Sequence, residues 1–167
     1  MTDGGGSPMS ALDPGALRDA FGWFLTGVTV VTSRSAGGDP IGLTANSFSS
    51  VSLDPPLVLF SLARSADCFA DFDVCQHFAV NVLASGQEAL STLFATKSAD
   101  KWRGTGYRLG RWGSPLIAGT IAAFECRVEA RHPGGDHIIY LGEVLALHAG
   151  DDRPPLGFFR GRYRSIS

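Results

Sequence analysis

Near the start of the chain, the apolar residues recur with the spacing of an α-helix. Apolar residues recur there at i, i+3, i+4, i+7 and i+8, and they are Leu17, Ala20, Phe21, Phe24 and Leu25. This spacing places them on one face of a helix. Asp13 can cap the helix and Pro14 suits its first position, while Gly27 ends it. We therefore predict an amphipathic helix whose apolar face covers the core.

The middle of the chain alternates short β-type segments with two short helices. The segments predicted as strands are residues 28–34, 42–53, 57–63 and 77–83. Pro55 and Pro56 break the pairing between the second and third of them. Residues 65–75 read as a short helix, and Ser85 followed by Glu88 forms a capping box for a helix through Phe94.

The residues from Thr96 to Pro115 have a different character. They are polar, rich in glycine and without periodicity. A segment of this length without regular structure of its own is typical of a functional loop.

Two strands of opposite character are predicted in the last third. In residues 124–131, apolar side chains alternate with charged ones, so one side of that strand should face water. Residues 137–148 are apolar on both alternate sets, so both of their faces should be covered. A subunit interface is one way to cover the second face.

The order of these elements favours a mainly β fold. Strands outnumber helices, and they are short and evenly spaced. A closed antiparallel barrel with peripheral helices fits better than a doubly wound sheet. Residues 1–12 are expected to be a flexible tail without function, and residues 13–167 one domain.

Composition narrows the possible partners. The net charge of −2 over 167 residues gives no electrostatic footprint for nucleic acid or an anionic membrane. The three cysteines form an odd set without metal-type spacing, which fits reduced thiols in the cytoplasm. The first dozen residues lack the features of a secretory signal, so we expect a cytosolic protein.

The segment GLTANSFSSVSLDPPL carries the strongest chemical signal. Hydroxyl and amide groups are concentrated in it, at Thr44, Asn46, Ser47, Ser49, Ser50 and Ser52. One interpretation is an edge strand whose polar side chains face water. The other is a polar lining for a flat, heteroatom-rich ligand, approached closely at Gly42.

Four motifs in order favour the second interpretation: TGVTVVT, GLTANSFSSVSLDPPLVLFSLARSAD, HFAVNVL and GGDHIIYLGEV. Over about residues 14–164 the chain resembles the short-chain flavin reductase family. That family includes the reductase components of two-component aromatic hydroxylases, such as the 4-hydroxyphenylacetate 3-monooxygenase system. The resemblance implies a split β-barrel of the FMN-binding type and a homodimer with the flavin near the subunit boundary.

The resemblance also implies which residues contact the flavin. Those near the isoalloxazine ring and ribityl chain are Thr44, Ala45, Asn46, Ser47, Ser50 and Val51. Those at the end of the next strand and the start of the following helix are Ser61, Leu62, Ala63, Arg64, Ser65 and Cys68. The N–H groups of that helix start, with the Arg64 charge and the Ser65 hydroxyl, suit a phosphate.

The resemblance implies three further contacts with the cofactors, and each of them has an alternative in which the residues are only structural. Lys101 and Trp102 would cover one flavin edge, or the Trp102 ring simply holds the loop onto the body. Arg160 and Tyr163 belong to a segment that often closes the site in this family, although its arginines also suit a solvated tail. His137 would lie on the nicotinamide side of the flavin, where an imidazole can bind a carboxamide; the alternative is a structural histidine.

The expected reaction is the reduction of FMN or FAD by NADH or NADPH, followed by diffusion of reduced flavin to a separate oxygenase. Hydride transfer between two cofactors needs no acid–base pair, and the sequence has no motif for one. It also lacks a Rossmann G-x-G-x-x-G and a metal-ligand pattern among its histidines. The alternatives are a flavin carrier or redox sensor without nicotinamide turnover, and a related split-barrel oxidase with its own substrate.

Overall fold

The computed structural model describes residues 12–97, 100–150 and 152–166. In this part of the chain the three helices are α1 (Pro14–Phe21), α2 (Phe69–Val74) and α3 (Glu88–Ala95). The first six strands are β1 (Thr26–Gly27), β2 (Thr29–Arg34), β3 (Pro40–Ala45), β4 (Ser49–Leu53), β5 (Pro56–Ala63) and β6 (His77–Val82). The others are β7 (Tyr107–Leu109), β8 (Pro115–Ile117), β9 (Ala122–Gly134), β10 (His137–Ala149), β11 (Leu156–Phe159) and β12 (Arg162–Ser165).

Seven antiparallel strands form the main sheet, in the order β3-β2-β6-β9-β10-β5-β4. The sheet curves so that β3, at one edge, also contacts β5 near the other edge. Smaller sheets, β1-β11-β12 and β7-β8, lie beside it. The predicted mainly β class with peripheral helices is confirmed.

Two apolar clusters hold these layers together. The interior of the curved sheet is filled by buried aromatic rings, with Phe60 and Tyr140 stacked at 5.0 Å and Phe78 edge-on to Phe60 at 5.1 Å. Gly142 makes this packing possible, because a Cβ at that position would overlap the Phe78 ring. The second cluster lies under α3, where Phe94 packs with Val30 and Leu156.

The first helix differs from the prediction. α1 ends at Phe21 with Gly22 as its C-cap, not at Gly27, and none of its residues is buried within the chain. Phe21 and Phe24 are 70% and 77% exposed, so the prediction that this face covers the core is wrong for a single chain. The predicted cap is confirmed, since the Asp13 carboxylate accepts from the Ala16 N–H at 2.8 Å.

Two local predictions in the middle of the chain also need correction. Residues 42–53 form two strands, because the chain leaves the sheet after Ala45 and re-enters at Ser49. The helix after Ser85 exists, but the capping box does not. Ser85 Oγ instead contacts Ser165 Oγ at 3.1 Å, and Gln87 Oε1 accepts from the Ala84 N–H at 2.9 Å.

The residues expected to form one long loop contain β7, which pairs with β8. Residues 124–131 are a strand as predicted, but Glu125 does not face water. Its side chain is 1% exposed and lies beneath the turn at Gly110, where a Cβ would overlap the Glu125 carboxylate.

The second face of β10 is left partly open within one chain. Ile139 and Leu141 are only partly buried, and Leu147 is 64% exposed. The predicted cover for this face does not come from the described residues.

Among the described residues, no helix has the length and apolar character of a membrane span. The expected tail at residues 1–12 lies outside the described residues except for Leu12.

Glu125 is held by a fixed set of donors. His148 Nε2 lies 2.7 Å from Oε1, and the Trp112 N–H donates to Oε2 at 3.1 Å. Arg108 Nη2 lies 3.3 Å from His148 Nδ1; because arginine can only donate, Nδ1 is the acceptor and Nε2 carries the proton. Burial by itself raises the pKa of Glu125, but the hydrogen bonds from His148 and from the backbone of Trp112 and Arg111 outweigh it and leave the pKa lowered.

We predict that Glu125→Gln lowers the free energy of unfolding by about 1.5–3 kcal/mol at pH 7, the usual contribution of hydrogen bonds to a charged group. Because the folded-state pKa is lowered, this contribution is complete above the ordinary carboxyl pKa of 4.5 and is lost as pH falls through the folded value. Urea denaturation of both proteins at pH 7 and at successively lower pH measures the difference. It should shrink in acid.

The control for this prediction is Glu129→Gln on the same strand, whose carboxylate is half exposed and pairs with Arg127 at 3.8 Å. It should change stability by less than about 1 kcal/mol. A Glu125→Gln effect that is the same at all pH values would contradict the assigned ionisation.

Candidate functional site

The link between β3 and β4 is fixed by its own hydroxyl and carbonyl groups. The Ala45 carbonyl accepts from Thr29 Oγ1 at 2.7 Å. Ser47 Oγ accepts from the Ser61 N–H at 2.9 Å and lies 3.3 Å from the Ser61 carbonyl, to which it donates. Ala45 is buried and Ser47 half-buried. The loop is therefore held from both ends.

Asn46 is the residue of this loop that remains available. It is exposed, and its side-chain amide makes no hydrogen bond within the described part of the chain. An amide offers both a donor and an acceptor to a ligand. The polar lining predicted from the sequence is thus divided between structural groups and one free amide.

Thr44 and Tyr163 meet at the same residue of α3. Thr44 Oγ1 donates to the Ser91 carbonyl at 2.5 Å, and Tyr163 Oη donates to Ser91 Oγ at 2.9 Å. These bonds join β3, α3 and β12. The side chains of both predicted site residues are engaged within the protein.

A large groove of the described residues includes Asn46 in its lining. It has a volume of about 510 Å³ and includes Trp23, Phe24 and Phe158 in its wall, with Arg160 at its edge. Apolar rings with a few polar groups are the usual lining of a small-molecule site. Asn46 and Arg160 were implied by the resemblance; Trp23 was missed because the helical pattern assigned its neighbours to the core.

The side chain of Arg160 contacts Trp23, and its backbone contacts Gly22. The guanidinium carbon lies 4.2 Å from the centre of the Trp23 ring, within the range of a cation–π contact. The backbone N–H of Arg160 donates to the Gly22 carbonyl at 2.9 Å. Its φ of 50° is the only positive value of a non-glycine residue in the described ranges.

The residues after β5 form a turn that leads to α2. Ala63 pairs with His137, and the Arg64 N–H donates to the Asp136 carbonyl at 2.9 Å. The side chains of Arg64 and Ser65 are exposed. Leu62 is fully buried and pairs with Ile138, so none of its atoms is exposed to a ligand within one chain.

His137 stands at the start of β10 beside this turn. Its ring is 41% exposed, and Nδ1 lies 2.7 Å from the Asp136 carboxylate. The hydrogen bond from His137 and the His137 charge hold the pKa of Asp136 below its ordinary value. Because an ionised carboxylate only accepts, Nδ1 carries a proton whether or not the ring is charged, and in the uncharged form of the ring Nε2 is an acceptor.

Cys68, Lys101 and Trp102 line a second groove of about 330 Å³ together with Asp67, Asp71 and Asp100. Lys101 Nζ donates to the carbonyls of Phe94 at 3.1 Å and Gly42 at 3.3 Å. Three carboxylates in its wall make this groove unsuitable for a phosphate. The groove lies apart from Asn46, which is not among its lining residues.

The surroundings of Trp102 and of Cys68 are well defined. Trp102 packs edge-on against Phe94 at 5.1 Å and joins the apolar cluster under α3. Burial raises the pKa of the Cys68 thiol, and the opposing charge of Lys101 does not cancel this effect. Cys68 is therefore a neutral thiol and not a nucleophilic thiolate.

Ser50 and Val51 lie on β4, at the edge of the main sheet. Both are exposed, and the pairing with β5 has an irregularity between Ser50 and Ser52. The unpaired edge leaves their backbone groups accessible. Among the described residues, no group of three or more His, Cys, Asp or Glu side chains is arranged so that it could hold a metal ion.

A curved antiparallel sheet that carries a fixed loop with one free amide beside an aromatic groove is the architecture of a barrel protein with a groove that suits a flat, heteroatom-rich ligand. Residues 21–167 match the family described as "Flavin reductase like domain", and the chain belongs to that family.

Similar proteins agree with this assignment. The "FMN reductase (NADH) SmoA" of Agrobacterium fabrum is 46% identical over 91% of this chain and 86% of the relative. The "Probable flavin reductase" of Rhizobium meliloti is 47% identical over 90% of this chain, but this chain spans only 48% of that relative. The resemblance to flavin reductases is confirmed.

A solved structure gives the same result for the fold. The Streptomyces globisporus NADH:FAD oxidoreductase SgcE6, solved in complex with NAD and FAD fragments, superposes with a TM-score of 0.87. It is 42% identical, and the match covers 95% of this chain and 97% of that chain. The split-barrel fold expected from the resemblance is confirmed.

Proposed function

We propose that this chain catalyses the reduction of FMN or FAD by NADH or NADPH and supplies the reduced flavin to a separate flavin-dependent monooxygenase. The observation that carries the proposal is the free amide of Asn46 at the rim of an aromatic groove, in a chain of the flavin reductase family. The names of similar proteins support the reductase over a carrier without turnover. They include an NADH-dependent FAD reductase and the reductase component of a trigonelline monooxygenase.

The residues of the site bind and orient; the bound nicotinamide and flavin supply the hydride donor and acceptor. Asn46 binds the polar edge of the isoalloxazine ring, with the loop around it held by Ser47 and Ser61. The aromatic wall of the groove excludes water from the ring face. Holding the two rings in contact contributes more to the rate than any single side-chain group.

Ser50, Val51 and the end of β5 would hold the ribityl chain of the flavin. Arg64 and Ser65, both exposed at the following turn, would bind a phosphate of one of the two nucleotides. Guanidinium and hydroxyl donors match phosphate oxygens in charge and geometry. The second groove, with Lys101 and Trp102 in its wall, is not proposed as the phosphate site because three carboxylates line it; contact of Lys101 and Trp102 with a flavin edge stays a prediction.

His137 holds the nicotinamide carboxamide. The Asp136 carboxylate fixes its proton on Nδ1, so that Nε2 accepts from the carboxamide N–H. The residue acts by orientation and transfers no proton. This role distinguishes it from the more buried His148, which is committed to Glu125.

The active form is a homodimer. The apolar side of α1 around Phe21 and Phe24 and the open face of β10 at Leu147 are the surfaces that a second copy would cover. Exposed apolar surface of this kind is typical of subunit interfaces. Reduced flavin then diffuses to the oxygenase component. The cytoplasmic location stays a prediction from composition.

The direct test of the proposal is the oxidation of NADH and NADPH by the purified protein in the presence of FMN, FAD or riboflavin. We expect turnover that increases with free flavin until it saturates. A carrier or sensor would show at most one equivalent of oxidation. Turnover without added flavin but dependent on another small substrate would indicate an oxidase.

Asn46→Leu should weaken flavin binding by about 5-fold or more, because one hydrogen bond of about 1 kcal/mol is lost at nearly constant size. Quenching of flavin fluorescence measures the dissociation constant. Gln76→Leu, at an exposed amide beside Val74, is the matched control and should bind normally. Unchanged binding by Asn46→Leu would place the flavin elsewhere.

His137→Ala should raise the KM for NADH by about 5-fold or more, the effect of one lost hydrogen bond, while flavin affinity stays the same. Steady-state kinetics at saturating flavin measure it. His132→Ala, at an exposed histidine of β9, serves as the control. A normal KM in His137→Ala would leave that histidine with a structural role.

A further inference from the structure

We propose that Trp23 positions the Arg160 guanidinium to bind a phosphate group at the edge of the Asn46 groove. This inference rests on the proposed function, because the phosphates meant are those of a flavin nucleotide or a nicotinamide dinucleotide. Arg160 makes the contact with the ligand. Trp23 is a positioning residue that acts through Arg160.

The backbone around the pair is already fixed. Arg160 occupies the turn between β11 and β12 at a φ of 50°, a region that non-glycine residues rarely adopt. Its N–H donates to the Gly22 carbonyl at 2.9 Å, and a Cβ on Gly22 would lie 3.3 Å from the Arg160 Cα. The turn and the end of α1 are therefore in direct contact through their backbones. Unusual backbone conformations held in this way often occur at ligand sites.

The indole ring sets the direction of the guanidinium. Its centre lies 4.2 Å from the guanidinium carbon, and Phe159 packs edge-on to the ring at 6.0 Å. A guanidinium stacked on an aromatic face keeps its N–H donors free at its edge. In the described part of the chain, the Arg160 side chain forms no ion pair and no hydrogen bond, so these donors are available.

The charge of the groove suits an anion. Its wall contains the side chains of Arg18 and Arg160 and one carboxylate, Asp19. Two cations against one anion leave it cationic, in contrast to the second groove with its three carboxylates. An arginine fork matches two phosphate oxygens at once. The Asn46 amide, in the same wall, would bind the uncharged part of the same or the adjacent ligand.

The test compares ligands with and without phosphate in Trp23→Leu, Trp23→Phe, Arg160→Gln and the double variant Trp23→Leu/Arg160→Gln. Trp23→Leu should raise the KM for FMN or for NADH by about 10-fold, the effect of losing an oriented charged contact, with kcat within about 2-fold. Trp23→Phe should restore most of the affinity. The ligand whose KM rises identifies whether the phosphate belongs to the flavin or to the nicotinamide nucleotide.

Two further readouts separate positioning from simple packing. The KM for riboflavin, which has no phosphate, should not change. The double variant should lose no more than Arg160→Gln alone, because the two residues act through one contact. Equal losses for riboflavin and FMN with an unchanged KM for NADH, additive losses in the double variant, or no change in Trp23→Leu would each overturn the proposal.

Folding and the proposed reaction are controlled separately. Trp23 is 63% exposed, so Trp23→Leu should melt within a few degrees of the wild type and keep its oligomeric state in gel filtration. If the wild-type protein shows no flavin-dependent NADH oxidation, the proposed function fails. In that case, titration of the variants with FMN, riboflavin and NADH still tests whether Trp23 positions Arg160 to bind a phosphate.

Discussion

The hydrogen bonds between the Ser47 hydroxyl and the backbone of Ser61 are the contact on which the site depends. They join the link between β3 and β4 to β5, at the place where the curved sheet brings its two ends together. Because Ser47 is held there and Ala45 is buried, the residue between them must project outward. The free amide of Asn46 at the rim of the groove follows from this constraint, and the packing of Phe60, Phe78 and Tyr140 inside the sheet keeps it in place.

The structure separates surfaces that support the barrel from surfaces that are left open. Thr44, Tyr163, Lys101 and Trp102 are engaged within the protein, through Ser91 or the cluster around Phe94. Asn46, Arg64 and Ser65 remain exposed, His137 is partly exposed, and Arg160 is stacked on Trp23 at the groove. In the proposed function, the first group shapes the site and the second group binds the cofactors. The protein then orients the two cofactors, which supply the hydride donor and acceptor.

Much of this architecture could be predicted from the sequence, since it depends on local patterns. Alternating and continuous apolar segments predicted the strands, and Asp13 with Pro14 predicted the start of α1. The burial of Glu125 could not be predicted, because its partner His148 lies 23 residues away and alternation alone assigns Glu125 to water. The role of Trp23 was hidden because a helical period cannot tell a face that packs on its own core from one that is left open. Which site residues are already engaged, such as Thr44 with Ser91, depends on tertiary contacts that no local pattern contains.

Hydrogen exchange of the loop from Thr44 to Ser50, with and without FMN, tests the central claim most directly. If this loop holds the isoalloxazine ring, its amides should exchange more slowly when FMN is bound, while those of β7 and β8 should be unaffected. Protection confined to the acidic groove around Cys68 and Lys101, with the loop unchanged at saturating FMN, would contradict the account.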